Sequence, residues 1–420
     1  PPPTTLDNLR RQRQMCIRDR TSAVLAQRPN DARALFVRAI LLRNARQFDE
    51  ARRAASSAWQ NAETKAARYD AAILAADINN LQGRYARAQF WLRRADQAAF
   101  LPEQKQLVAR SYAAVRQRNP LQVNLRFSLK PSNNVNNGAE TTVIDIGGLP
   151  FRLDGSGQQL GGWESSAGVS LGYRLHQEER SRTDLLGDIY FRKVWLDDDA
   201  STLAPGVRDS DFDYGAVVTA IRHQRIIWPT IGRSAITGVV GQSWYGGDAL
   251  ARWTELQLGQ TVQRSATSAL QFGLQTRFEN RLDDGINDSR TIGFSTEFVK
   301  DLGNGRGYRM GATVKDIRSD SATVDGVSHG LSGTWSMGRI GSFVPSATLA
   351  AENRDYQKWA TTPGGRTDRT LSLQVNTVWT EKSYYGFVPQ ATLTVRRTWS
   401  NVDIYDRNEY SLGLTAVSRF

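Results

Sequence analysis

The sequence predicts an α + β two-domain protein, in which an N-terminal helical domain precedes a 14-stranded antiparallel outer-membrane β-barrel. The period of apolar residues changes from helical to alternating at Arg118–Pro120, and fourteen alternating segments follow. The connections between these segments tend to alternate between short and long, and the last segment ends in Phe420. We expect residues 1–20 to be disordered, residues 21–118 to form the helical domain and residues 119–420 to form the barrel.

The first twenty residues support no structural inference. Segment 14–20, Gln-Met-Cys-Ile-Arg-Asp-Arg, resembles translated sequencing-adapter read-through, so we assign no role to it. The chain has a single cysteine, Cys16, and therefore forms no internal disulfide.

Residues 21–118 are rich in Ala, Arg, Gln and Leu, which favours helix. Two segments match each other at a spacing of 37 residues, with Phe48 aligned with Tyr85 and Ala51 with Ala88. Small residues at helix crossings and an aromatic residue in the turn resemble the tetratricopeptide pattern. We predict a tetratricopeptide-like pair flanked by single helices at 21–28 and 102–117. A generic helical bundle is the alternative.

The charge of +12 lies entirely in the helical region. Residues 1–120 contain 22 Lys and Arg residues against ten Asp and Glu residues, whereas the remainder is neutral. The arginines are dispersed along the predicted helices, so a solvated helical face explains them better than nucleic acid or anionic lipid. We expect no nucleic-acid partner.

The predicted strands alternate apolar with polar residues, as the first one shows between Leu121 and Lys130. No run of 18 apolar residues exists, and mean hydropathy is −0.48, but a barrel strand needs only about ten residues. The other strands are expected near 163–176, 183–196, 211–224, 234–247, 250–262, 268–280, 289–300, 306–318, 326–337, 342–356, 367–380, 384–400 and 408–420.

Short turns on one side and long loops on the other predict an outer-membrane barrel with periplasmic turns and extracellular loops. An even strand number places both barrel ends, and hence the helical domain, in the periplasm. Aromatic residues near strand ends fit an interfacial girdle. A soluble β-sandwich is the alternative, but fourteen long strands with mixed charge on one face argue against it. The girdle candidates are Trp163, Trp195, Trp228, Trp244, Tyr245, Trp253, Trp359, Trp379 and Trp399.

No catalytic, metal-binding or cofactor-binding pattern is present in the sequence, and none is predicted. The three histidines lie on different predicted strands. One loop, directly after the first strand, is a candidate functional site, although Asn and Gly also suit an ordinary turn. Its residues are Ser132, Asn133, Asn134, Asn136 and Asn137. The terminal strand is a candidate assembly signal, carried by Tyr410, Leu412, Leu414 and Phe420.

A tetratricopeptide-like domain, a strand followed by Ser132–Asn137 and a fourteen-stranded barrel ending in Phe resemble the surface lipoprotein assembly modifier family, Slam. The resemblance covers about residues 25–420, with a helical domain shorter than is usual. It implies an outer-membrane translocon that moves client lipoproteins, or secreted haem- or metal-binding proteins, to the cell surface. Outer-membrane lipid and the barrel assembly machinery would be further partners. The client would follow a polar path or a seam between strands 121–130 and 408–420.

Two other functions remain open from the sequence. An exopolysaccharide exporter also joins tetratricopeptide repeats to a barrel, but it would have many more repeats and a lumen of one charge sign or rich in aromatic residues. A passive porin with a small helical adaptor is the other alternative.

Overall fold

A computed structural model describes residues 5–146, 149–227, 232–359, 362 and 364–418. The chain divides into two compact units. One unit contains the helical region up to residue 121 and the short segment 383–387, and the other contains the barrel residues 122–382 and 388–418.

The helical unit has six helices connected by short turns. Two of them begin with side-chain caps: Asp31 accepts a hydrogen bond from the Ala34 N–H, and Thr64 accepts one from the Ala67 N–H. The helices are α1 (Thr5–Gln27), α2 (Ala32–Asn44), α3 (Phe48–Gln60), α4 (Lys65–Leu81), α5 (Tyr85–Ala98) and α6 (Pro102–Arg118).

Small side chains fill the core of this unit. Ala51 and Ala88, which the sequence aligns at a spacing of 37 residues, are both fully buried. Ala55 and Leu92 are buried as well, also 37 residues apart. Alanines at these positions allow neighbouring helices to approach closely, and larger buried side chains such as Ile78, Val108 and Trp91 fill the rest of the core.

The prediction of disorder over residues 1–20 is wrong for residues 5–20. Helix α1 already begins at Thr5, not at residue 21. The reason is local: this stretch contains no Gly or Pro and several strong helix formers. Cys16 is exposed on this helix.

The predicted fourteen-stranded antiparallel barrel is confirmed. Its strands form one closed sheet in which the first strand neighbours the last, with Phe127 opposite Ala416. The barrel strands are β1 (Leu121–Ser132), β4 (Gly162–Gln177), β5 (Ser181–Leu196), β6 (Tyr214–Ile226), β7 (Arg233–Tyr245), β8 (Asp248–Ser265), β9 (Ser268–Arg281), β10 (Ser289–Gly303), β11 (Arg306–Ser319), β12 (Gly326–Met337), β13 (Phe343–Tyr356), β14 (Arg366–Trp379), β15 (Phe387–Ser400) and β16 (Arg407–Ser418).

Several regions differ from the prediction; for example, β15 begins at Phe387 instead of residue 384. The loop after β1 contains a small hairpin, β2 (Val143–Ile146) and β3 (Leu149–Arg152), because a short β-branched segment can pair locally outside the barrel. The next long loop contains helix α7 (Asp198–Leu203), which Asp197 caps. Strand β6 begins at Tyr214 instead of residue 211, because Asp209–Phe212 forms a 3₁₀ turn.

One connection breaks the alternation of short and long. Strands β7 and β8 are joined by Gly246 and Gly247 alone, at the end of the barrel that carries the long loops. Both have positive φ, +60° and +95°, which the tight hairpin requires and glycine adopts without strain. We call the end that carries the long loops the loop end and the opposite end the turn end.

The outer surface of the barrel is apolar. Side chains that alternate with the lumen-lining residues are large, apolar and exposed, which is the surface that a barrel presents to lipid. They include Leu129, Leu171, Ile221, Leu274, Phe294, Met310, Leu349 and Leu373. A closed barrel with such a band spans the outer membrane.

Some aromatic residues of the predicted girdle have another role. Trp163, Trp195, Trp379 and Trp399 are exposed near strand ends, as an interfacial girdle requires. Trp253 instead packs under the Arg277 guanidinium, 4.5 Å from the ring centroid, and Trp359 lies 5.6 Å from Arg366. Alternation alone does not predict such cation–π partners. Trp228 lies outside the described residues.

Among the helices of the described residues, none is both long and apolar enough to cross a membrane.

The lipid-facing assignment predicts how substitutions at neighbouring positions differ. Leu274 points outward at the middle of β9, so Leu274→Arg should destabilise the folded barrel by roughly 2–4 kcal/mol in bilayers. Gln275→Arg, one residue along and facing the lumen, should cost much less. Urea-dependent unfolding in phospholipid vesicles measures both. Equal effects at the two positions would contradict the assignment.

Candidate functional site: the barrel lumen and its mouth

The lumen is lined by cross-strand networks of charged and polar side chains. On β1, Arg126 donates to Ser170 Oγ at 2.9 Å and forms an ion pair with Asp188 at 2.9 Å. Ser170 also donates to Asp188. The three residues belong to β1, β4 and β5, so one network joins three adjacent strands from the inside.

Two lumenal carboxylates are almost completely buried, and each lies between two cations. Glu164 lies 3.2 Å from Lys130 and 3.7 Å from Arg192. Asp184, only 1% exposed, lies 2.7 Å from Arg182 and 3.2 Å from Arg222.

The negative charge of a buried carboxylate is compensated by its two cationic partners. Removing one partner would leave part of that charge uncompensated, at a cost in stability. These groups therefore fix the wall of the lumen.

The Asn-rich loop closes part of the mouth, and its first residues continue the pairing of β1 with β16. The side chain of Asn133 donates to the Asn408 carbonyl at 2.7 Å and accepts from the Tyr410 N–H at 2.8 Å. An amide side chain here replaces the backbone groups that a paired strand would supply. Ser132 lies on β1, opposite Ser411, and its hydroxyl accepts a hydrogen bond from the Asn134 N–H.

Of two further asparagines, Asn136 holds the loop against a second segment and Asn134 braces the loop internally. Asn136 accepts from the Leu160 N–H at 3.0 Å and donates to the Gln158 carbonyl at 2.8 Å. The Asn134 side chain both accepts from the Gly138 N–H and donates to the Gly138 carbonyl. These side chains hydrogen-bond to backbone groups, so most of the Asn run has a structural role in holding the loop in place.

Asn137, the last asparagine of the loop, lines two cavities of the lumen. It adopts a left-handed conformation, with φ of +56°, which Asn tolerates better than most residues. It lines a cavity of about 590 Å³ beside β13–β16 and a second of about 430 Å³ beside β1 and β16. The loop thus borders two adjoining spaces in the lumen near its mouth.

A small apolar core anchors the mouth loops to the barrel wall. Val135, Leu160 and Val194 are fully buried there against Phe212.

Hydrogen bonds also stabilise the mouth loops. The Ser156 hydroxyl and N–H donate to Asp154 and hold the pKa of that carboxyl below its usual value. The lowered pKa adds stability above the ordinary pKa of Asp, and this contribution is lost as the pH falls through the folded-state pKa.

The terminal strand exposes the side chains that the sequence proposes as an assembly signal. Tyr410, Leu412 and Leu414 alternate along β16 and are largely exposed on the lipid side. Phe420 lies outside the described residues. Exposure to lipid accounts for the alternation by itself, so the role in assembly stays a prediction.

The histidines do not converge. His223 contacts Thr183 at 2.9 Å, His176 contacts Glu178 at 3.1 Å, and His329 lies on β12. Within the ranges that the structure describes, no group of three His, Cys, Asp or Glu side chains could hold a metal ion.

Sequence reasoning identified the Asn run but missed the groups that it binds. The carbonyls of Ser156 and Gln158 lie more than twenty residues from the first asparagines, in a segment with no strand pattern. Gly138 was available as a signal for close backbone approach, since a Cβ there would lie 2.1 Å from the Gln158 carbonyl oxygen. The arginines of the 590 Å³ cavity were also missed, because they lie on separate strands.

The sequence matches no family model and is similar to no curated protein sequence. Solved structures of outer-membrane porins align with the barrel. OprD from Pseudomonas aeruginosa covers 70% of this chain and 94% of its own, with 9% identity and a TM-score of 0.34. A BenF-like porin from Pseudomonas fluorescens Pf-5 covers 71% and 98%, with 9% identity and a TM-score of 0.39. OccAB3 from Acinetobacter baumannii covers 70% and 99%, with 8% identity and a TM-score of 0.38. Identity and TM-score are too low for the solutes of those proteins to be transferred to this chain.

The packing around Gly138 predicts that the loop is sensitive to one methyl group. A Cβ at this position would lie 2.1 Å from the Gln158 carbonyl oxygen, so Gly138→Ala must push the two segments apart. We expect a cost of about 1–3 kcal/mol and roughly tenfold faster proteolytic cleavage of the loop in the detergent-solubilised barrel.

Gly206→Ala is the matched control, because a Cβ there meets no atom within 4 Å in a neighbouring loop. Cleavage of both variants at the wild-type rate would show that the loop is not held by this contact.

Proposed function

We propose that the protein is an outer-membrane channel for small polar solutes. The observation that carries this proposal is the polar lumen wall, whose side chains border spaces of about 590, 430 and 370 Å³, the first two of them beside Asn137. Spaces of this size suit small ligands, and a folded protein domain would not fit. The walls are polar and mixed in charge, which favours hydrated solutes over apolar ones.

A second candidate is the translocon implied by the resemblance to Slam, with a client lipoprotein or a secreted haem- or metal-binding protein as cargo. One observation favours it. In the described parts of β1 and β16, the register pairs Arg126–Leu129 with Leu414–Val417 and then passes over Lys130 and Pro131. Proline has no N–H to donate, so this seam is weaker than a continuous ladder. A weak edge pair can open and accept a strand of another chain.

In this second candidate the helical unit would hold the client as a tetratricopeptide-like module. Several of its large apolar side chains are exposed and could contact an unfolded chain. They are Leu81, Phe90, Phe100, Leu101 and Leu107.

Both candidates place the helical unit and the turn end in the periplasm, since the strand number is even. In a Cys16→Ser background, Glu179→Cys at the turn end should resist an impermeant maleimide applied to intact cells, whereas Ser201→Cys at the loop end should react. Both positions are exposed. The reverse pattern would contradict the topology.

Locking the seam separates the two functions. Ser128 and Thr415 face each other across β1 and β16, so Ser128→Cys with Thr415→Cys, without Cys16, should form a disulfide on oxidation where the geometry permits. A solute channel should keep its conductance in planar bilayers after oxidation, because solutes cross the lumen. A translocon that opens its seam should lose surface display of a lipoprotein encoded in the same genome, and reduction should restore it.

The control lock joins Ser336→Cys to Ser346→Cys across β12 and β13, which face each other in an uninterrupted ladder. It should leave both conductance and display unchanged. Absence of conductance in the reduced and oxidised wild-type barrel would refute the channel. Unchanged display with a locked seam would refute lateral passage of the client.

A further inference from the structure

One lumenal cavity in the described part of the barrel has four arginines in its lining. The cavity, of about 590 Å³, lies along β13–β16 near the loop end. Its charged lining consists of Arg354, Arg366, Arg396, Arg407, Glu352, Asp368 and Glu409. Four guanidinium groups therefore face three carboxylates.

Two of the four guanidinium groups are neutralised within the wall. Arg366 is 5% exposed and is paired with Asp368, which accepts from two of its nitrogens. The rings of Tyr356 and Tyr405 lie 4.1 and 3.0 Å from the Arg366 guanidinium carbon and hold it in place. Arg396 is paired with Glu409 at 3.3 Å.

The other two guanidinium groups have no carboxylate partner among the residues that the structure describes. In the described portion of the chain, no Asp or Glu oxygen lies within 4 Å of Arg354 or Arg407, and the Nε atom of each is buried without a hydrogen-bond acceptor. Arg354 donates from its Nη2 atom to the Val324 carbonyl and stacks 4.6 Å from Tyr356, so its position is fixed. Both guanidinium groups line the cavity, and their charge lacks a carboxylate among the described residues, so an anion in the cavity would supply the missing countercharge.

We propose that this cavity binds the anionic group, a carboxylate or a phosphate, of a small solute through Arg354 and Arg407. Guanidinium groups suit both anions, because their donors match the geometry of two oxygens. Arg366, fixed by its aromatic neighbours, forms the rigid wall beside them. Glu352 lines the same cavity, has no ion pair with a described Lys or Arg, and opposes anion binding. The inference rests on the proposed channel and specifies which solutes it would bind.

Binding is measured directly on the full chain in detergent, by titration calorimetry at low ionic strength, with inorganic phosphate and succinate as separate probes. We expect at least one probe to bind. Arg407→Gln and Arg354→Gln should each weaken that binding by about tenfold, the usual loss for a charged hydrogen bond. Glu352→Gln should strengthen it, which a purely structural role of these residues would not produce.

Lys315→Gln is the matched control, because it removes one positive charge from the separate cavity of about 370 Å³. Binding should then remain close to wild type. Arg407→Lys keeps the charge but loses the paired donors, so it should bind more weakly than wild type and more tightly than Arg407→Gln. Binding of phosphate alone or of succinate alone identifies the anion that the site accepts.

Failure of this inference is distinguishable from failure of the channel. If neither probe binds, or if Lys315→Gln weakens binding as much as Arg407→Gln does, the anion site is refuted even where bilayer conductance is normal. If the probes bind as expected but the barrel does not conduct, the site stands and the channel function fails.

Discussion

A barrel in lipid must pair every backbone N–H and C=O of its strands, because the hydrocarbon offers no alternative partner. This constraint forces the sheet to close, and closure here depends on β1 meeting β16. The register between them passes over Lys130 and Pro131. Asn133 compensates by hydrogen bonding to the backbone of β16 at both Asn408 and Tyr410. The asparagine that begins the loop is therefore part of the closure itself.

Closure also sets the chemistry of the lumen. Once alternate side chains are directed inward, charged groups from different strands lie close together, and a buried carboxylate needs a partner. Glu164 and Asp184 each lie between two cations, and Arg126 joins Asp188 across β4. The same rule makes the exceptions informative. Arg354 and Arg407 lack such partners in the described structure, so they are the groups available to a solute.

Sequence alternation predicted the barrel well because its period is imposed by lipid on one side and water on the other. Strand 268–280 differs from the structure by a single residue at one end. Alternation does not predict elements outside the lipid-embedded barrel. It missed the start of helix α1 at Thr5 and the hairpin Val143–Arg152, which lies in a loop. The Asn run was identifiable as unusual from its composition. Its partners were not, because Gln158 and Leu160 contribute backbone groups that no side-chain pattern reveals.

The arginine cavity was unpredictable for a different reason. Arg354, Arg366 and Arg407 are spread over 54 positions of sequence and on three strands, each beside ordinary lumenal residues. Only the register of β13–β16 brings them together. Asn137 lines this cavity and its neighbour, so the loop that completes the β1–β16 closure also bounds the space in which those arginines lie. Any motion that breaks the hydrogen bonds of Asn133 to β16 would change both the β1–β16 seam and the boundary of this cavity. The two candidate routes, through the lumen and through the seam, are therefore linked by one short segment of chain.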